Sequence, residues 1–158
     1  MNKQGFTLII AVLISSIILS IGLSMFNISI KQSILSATAR ESQSSFFAAD
    51  SGIECASYWD YKYNAFVQSG YSGPLPRCAN QDIGPLAPNC ALAGDPGYDY
   101  KCVFTMYLEG ANQTEGACAV VTVNKIVSPA GTKIESRGYN TCNTSDPRRT
   151  ERGIRITQ

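Results

Sequence analysis

The chain has 158 residues, 44% hydrophobic and 16% charged, with 13 lysines and arginines against 12 aspartates and glutamates. So balanced a charge argues against a dedicated nucleic-acid binder, which carries a basic excess on its folded part. Histidine is absent, and with it go the commonest general base, the usual Ser and Cys triads and most catalytic zinc sites.

The first element is apolar. From Phe6 to Ile30 the chain reads FTLIIAVLISSIILSIGLSMFNISI, without a charge. As a helix this segment would span about 37 Å, more than a hydrocarbon core of about 30 Å. It is too long for the apolar region of a cleaved secretory signal, and small residues that could form such a site, Ala37 and Ala39, lie beyond Lys31. Lys3 on the short side and all six cysteines on the other give a single pass with the N-terminus in. Ser16, Ser20 and Ser24 recur every four residues on one face, and Ala11, Ser15 and Gly22 form a second stripe. Small side chains let helices approach closely in lipid, so these positions are candidates for helix packing.

Lys3-Gln4-Gly5-Phe6-Thr7-Leu8-Ile9 resembles the leader of type IV prepilins and pseudopilins: a short basic stretch, a glycine, then an apolar helix opening on Phe-Thr-Leu-Ile. The resemblance implies cleavage between Gly5 and Phe6 by a prepilin peptidase, methylation of the new N-terminal Phe6, and residues 1–5 as the leader. Major pilins carry a glutamate at the fifth mature position, which here is Ile10. Loss of that carboxylate is a feature of certain minor subunits, so the chain is similar to a minor pilin. It could equally belong to a system that dispenses with the glutamate throughout.

Beyond the membrane half (6–30) the helix is expected to continue as an amphipathic half over 31–59, which has no proline and a single glycine, Gly52. Ile30, Ile34, Phe46, Ala49, Ile53 and Ala56 fall on one helical face. Phe46 and Ile53 are the expected anchors of a sheet on this helix. The stretch Ser44-Ser45-Phe46-Phe47-Ala48-Ala49-Asp50 is similar to a region of PilX-type minor pilins, where a phenylalanine precedes an Ala-Ala-acid sequence. Asp50 and Glu54 are helix neighbours, but with no further ligand or base at hand they read as a solvated face.

An aromatic cluster (Tyr58, Trp59, Tyr61, Tyr63, Phe66) leads into residues 60–98. Within them Ser69 to Gly97 holds five glycines and five prolines, the composition of a long irregular surface loop and a candidate recognition surface. Asp95 and Asp99 could offer oxygens to calcium, but the segment lacks the acidic density of a calcium loop and reads as a turn.

Residues 99–158 carry the expected sheet. Tyr100–Leu108, Ala117–Val127, Thr132–Tyr139 and Glu151–Thr157 have the β-branched and aromatic content of strands. Turns at Gly110–Gln113 and Ser128–Gly131 join the first three as an antiparallel meander. Ser136-Arg137-Gly138 followed by a final strand with Arg152 and Arg155 resembles the closing hairpin of pilin-like proteins. Arg148, Arg149, Arg152 and Arg155 form a basic cluster interrupted by Asp146 and Glu151; a strand alternating Arg and Ile puts its charges in water, so nucleic acid is not an expected partner.

The six cysteines, Cys55, Cys78, Cys90, Cys102, Cys118 and Cys142, are widely spaced and include no close pair, which favours disulfides outside the cytoplasm over a metal site. A local Cys78–Cys90 bridge would restrain the Gly/Pro-rich loop by about 3 kcal/mol, although six cysteines allow fifteen connectivities.

These readings add up to an α+β protein, one long N-terminal helix on a small disulfide-stapled antiparallel sheet. No phosphate loop, dinucleotide fingerprint or nucleophile motif is present, so neither an enzyme nor a cofactor is expected. The resemblance implies a structural role as a minor pilin or pseudopilin that initiates, caps or decorates a type IV pilus or related filament. Its partners would be other pilin subunits, the prepilin peptidase and the membrane, with the chain in the cytoplasmic membrane before assembly and at the cell surface after. The alternative is a single-pass anchored extracytoplasmic binding domain that is never polymerised.

Overall fold

The computed structural model describes residues 3–67, 71–83, 90–92, 94, 97–108, 115–127 and 130–158, with the backbone alone for 3–6 and 127. It is α+β, with one helix, α1 (Lys3–Tyr63), followed by seven strands. Two strands form a small hairpin, β1 (Arg77–Cys78) and β2 (Gln81–Asp82). The other five are β3 (Cys90–Leu92), β4 (Tyr100–Tyr107), β5 (Cys118–Val127), β6 (Ala130–Tyr139) and β7 (Glu151–Thr157), paired antiparallel in chain order. The chain divides into two compact units, Met1–Ala39 and Arg40–Gln158.

In the second unit, the Arg40–Tyr63 part of α1 covers one face of the five-stranded sheet. Its buried residues are Ser45, Ala48, Ala49, Gly52, Ile53, Ala56, Trp59 and Asp60, spaced three and four apart as one helical face must be. Most are small, and so are the residues of β5 and β6 that they meet, Ala119, Val121, Ser136 and Gly138. The pairing register sets Met106, Ala119 and Gly138 in one row, and Phe104, Val121, Ser136 and Ile154 in the next. A Cβ on Gly52 would lie 2.8 Å from Val121 Cγ2 and 3.2 Å from Ala119 Cβ. A Cβ on Gly138 would run into the helix backbone at Ser45 and Ala49, coming within 2.9 Å of Ala49 Cα. Gly138 is therefore where helix and sheet backbones touch, and the Ser-x-Gly sequence of β6 has a packing cause.

This close contact corrects the expected helix face. Ala49, Ile53 and Ala56 are buried, but Phe46 is 49% exposed. It sits at the rim, edge-on to Phe47 with ring centroids 6.2 Å apart, because the sheet approaches along the arc of small residues beside it. Ile30 and Ile34 are also exposed, within the Met1–Ala39 unit.

The helix runs four residues beyond Trp59. Trp59 and Tyr63 rings pack at 4.9 Å, and the helix stops at Asn64, whose φ of 44° turns the chain so that Ala65 N–H donates to Trp59 C=O. Phe66 then enters the core and stacks on Phe104 at 5.8 Å.

Where the Gly/Pro-rich region is described, it contains three short strands, β1, β2 and β3. The β1–β2 hairpin turns through Ala79 and Asn80, both at positive φ. It is pinned where Trp59 Nε1 donates to Arg77 C=O at 3.0 Å and Tyr107 N–H donates to Gln81 Oε1 at 3.2 Å. Pro76, Cys78, Ile83 and Cys90 are buried. The disulfides are Cys55–Cys78, Cys90–Cys102 and Cys118–Cys142, so the local Cys78–Cys90 bridge is overturned. Each cysteine of the loop bonds outward instead, Cys78 to the helix and Cys90 to its register partner on β4. In the chain-entropy treatment, closing loops of these lengths contributes about 3 kcal/mol each.

Candidate membrane helix and surface sites

The Met1–Ala39 unit is helical from Lys3, and every described side chain from Thr7 to Ala39 is exposed. Leu8, Ile9, Ile18, Leu19 and Phe26 are each about two-thirds exposed. Apolar surface of this extent is ordinarily covered, by lipid or by other protein. Among the described residues this is one helix long and apolar enough to cross a membrane. Its hydroxyls bond within the helix: Ser16 Oγ donates to Leu13 C=O at 2.8 Å, Ser29 Oγ to Met25 C=O at 3.0 Å, and Ser15 Oγ to Ala11 C=O. A hydroxyl bonded within its own helix costs little in lipid.

Ser16, Ser20 and Ser24 lie on one face of this helix and are exposed; Gly22 has nothing within 4 Å of an added Cβ. Ile10 is exposed as well. The backbone of Gly5 and Phe6 is helical, and the side chain of Phe6 lies outside the described residues.

In the second unit the other candidates separate. Asp50 is half-buried and Glu54 exposed, and no group of three or more metal-ligating side chains occurs among the described residues. Asp95 lies outside the described residues. Three of the four C-terminal arginines have separate partners. The Arg149 guanidinium rests 3.7 Å from the Tyr139 ring centroid, Arg152 Nε donates to Ser42 Oγ at 2.8 Å, and Arg155 pairs with Glu135 at 3.1 Å. Ile154 and Ile156 turn inward against the core while Arg155 is exposed, as the alternation of β7 requires.

Glu135 is shared by Arg155 and Arg137, the latter at 3.2 Å. Burial pushes its carboxyl up, but hydrogen bonds from Arg137 and Arg155 outweigh that and hold it below the ordinary carboxylate value. A carboxyl with a depressed folded pKa stabilises the fold above its unfolded pKa, and the contribution is lost as pH falls through the folded value. Glu135→Gln is therefore expected to flatten the acid limb of the stability curve below pH about 4, measured as Tm against pH. Parallel curves for the variant and the parent at low pH would refute it.

The sequence reading missed one pair. Asp60, in the last turn of α1, forms an ion pair with Lys125 of β5, and the two side chains are only 6% and 12% exposed. Lys125 Nζ also donates to Thr132 Oγ1 at 2.9 Å. Nearby, burial and then the Asp60 and Asp99 carboxylates push the Tyr100 hydroxyl above its usual pKa. The signal was legible: Asp60 continues the Ile53, Ala56 spacing, and a charge on a core face needs a buried partner.

Comparison with protein-family models, with curated proteins and with solved structures returns no match.

Proposed function

We propose that this chain is a minor pilin-like or pseudopilin-like structural subunit, held in the membrane by residues 6–30, cut between Gly5 and Phe6, methylated on Phe6 and then built into a surface filament. The observation that carries the reading is the combination of an exposed, uncharged N-terminal helix with a disulfide-bonded sheet packed on its continuation, directly preceded by Lys3-Gln4-Gly5. The role is assembly rather than catalysis. Neighbouring subunits would meet the chain along its N-terminal helix, where Ser16, Ser20, Ser24 and Gly22 allow close approach. Ile10 supplies no carboxylate to pair with a neighbour's N-terminal amine, which suits a subunit that initiates, caps or decorates rather than one repeated along the shaft.

The test is the intact mass and N-terminal sequence of the protein from cells containing its own prepilin peptidase. A chain beginning at Phe6, and blockage of that processing by Gly5→Leu, is the expected result. A chain still beginning at Met1 where a known prepilin is cut would reject the proposal in favour of an anchored extracytoplasmic domain that is not polymerised. Recovery in sheared surface fibres tests the second step.

A further inference from the structure

The sheet face turned away from the helix holds a cavity of about 560 Å3, lined among others by Tyr98, Lys101, Val103, Thr122, Asn124 and Lys133. That volume is within the range of small-ligand sites, about 300–1,000 Å3. Strand register places Lys101, Asn124 and Lys133 directly opposite one another on β4, β5 and β6. At the usual strand spacing the two lysine Cα atoms are about 10 Å apart, with Asn124 between them.

Among the described residues, Lys101 and Asn124 of this row have an unmet charge and an unmet acceptor. Lys101 has no ion pair among the described residues, and Lys133 Nζ is held 5.4 Å from the Tyr98 ring centroid. The acid lining the same cavity, Glu135, is already taken by Arg137 and Arg155. Between the lysines, Asn124 is only 6% exposed and its Oδ1 has no hydrogen-bond partner among the described residues; the atom is shielded from solvent, so a ligand reaches it when the amide turns toward the cavity. A buried amide oxygen left unpaired is destabilising, and one explanation for its presence in a fold is a ligand that pairs it.

The complementary ligand therefore carries a negative charge for the lysines and, beside it, a neutral donor for Asn124. A bare inorganic anion meets the first need and presents lone pairs to the second. A sugar acid meets both, having hydroxyl donors next to a carboxylate and a C–H face that can rest on Tyr98 and Val103. We propose that this cavity binds an acidic saccharide, with Lys101 and Lys133 holding its carboxylate and Asn124 Oδ1 accepting from a hydroxyl. Its test does not require filament assembly.

The experiment is calorimetric titration of the full chain in detergent with trigalacturonate, using galactotriose, citrate and triglutamate as comparison ligands. Trigalacturonate is expected to bind with a Kd of about 0.1–1 mM and galactotriose at least tenfold more weakly. Lys101→Gln with Lys133→Gln should weaken trigalacturonate binding about tenfold. Asn124→Leu should weaken it to a similar extent while leaving Tm unchanged or raised, because it removes an unpaired buried amide; a purely structural asparagine would not show that split. If citrate or triglutamate binds as tightly as trigalacturonate, or if neither the lysine pair nor Asn124 affects binding, the assignment is overturned. Absence of binding at 10-fold the upper expected Kd overturns it as well.

Discussion

Gly138→Val is expected to unfold the Arg40–Gln158 unit or lower its Tm by about 10–15 °C, corresponding to more than about 3 kcal/mol. Overpacking usually costs less, because a flexible side chain moves aside. Here the obstacle is backbone on both sides: a β-carbon at 138 overlaps the main chain of α1 at Ser45 and Ala49, and Gly138 is itself fixed by its pairing with Ala119 and Arg152. Separating the two layers by the width of a methyl group would loosen Ala48, Ala49 and Gly52 against Ala119, Val121 and Ser136 together. It would also strain the link in which Ser45 Oγ donates to Thr150 C=O at 2.8 Å. Gly153→Ala on β7 is the control, since the nearest atom to its added Cβ is Ser136 O at 4.0 Å; it should be close to neutral. Thermal denaturation followed by near-ultraviolet circular dichroism compares the two. A Tm for Gly138→Val within about 3 °C of the parent would show that the layers do not touch there.

The second large effect is expected at the Asp60–Lys125 pair. Asp60→Ala should cost about 3–5 kcal/mol, because it leaves the Lys125 ammonium 12% exposed with only Thr132 Oγ1 to serve it. Lys125→Met should be similarly harmful, stranding a carboxylate in the last turn of the helix, where the helix dipole also disfavours negative charge. The pair itself is worth far less than either loss. Attraction between the charges is largely offset by the cost of removing both from water, so Asp60→Leu combined with Lys125→Met should recover most of the stability. Urea denaturation of the two single variants and the double variant measures the coupling. If the double variant is as unstable as the sum of the singles, the two residues do not act as a pair.

The long helix and the four long strands could be read from local pattern. Continuous apolar residues from Phe6, and a chain free of proline as far as Tyr63, leave helix as the only efficient way to pair the backbone. Alternation across Tyr100–Tyr107 and Ile134–Gly138 reports one buried sheet face. β7 came out at Glu151–Thr157 in both sequence and structure, since alternating Arg and Ile specify both strand and orientation. That the cysteines would form disulfides also followed from number and spacing.

The partners were decided elsewhere. Cys78 and Cys90 are close in sequence, yet they bond to Cys55 and Cys102, because the hairpin between them folds down onto Trp59 and Gln81 meets β4. Size and period point to Phe46 as an anchor, but the sheet packs on the smaller residues next to it. Hydrophobic period specifies an arc of a helix, whereas the distance of approach depends on what faces that arc, here Gly138, Ser136 and Ala119. Likewise, the chain contains Asp60, Lys125 and Asn124 without indicating which two will meet and which will be left unpaired. The sequence alone determined the membrane-length apolar helix, the antiparallel meander of β4, β5 and β6 and the oxidised cysteines, since these rest on local periodicity and composition; the edge strand β3 was not among them. Tertiary structure alone decided connectivity, close approach and the buried polar set, since those depend on residues far apart in the chain arriving at the same place.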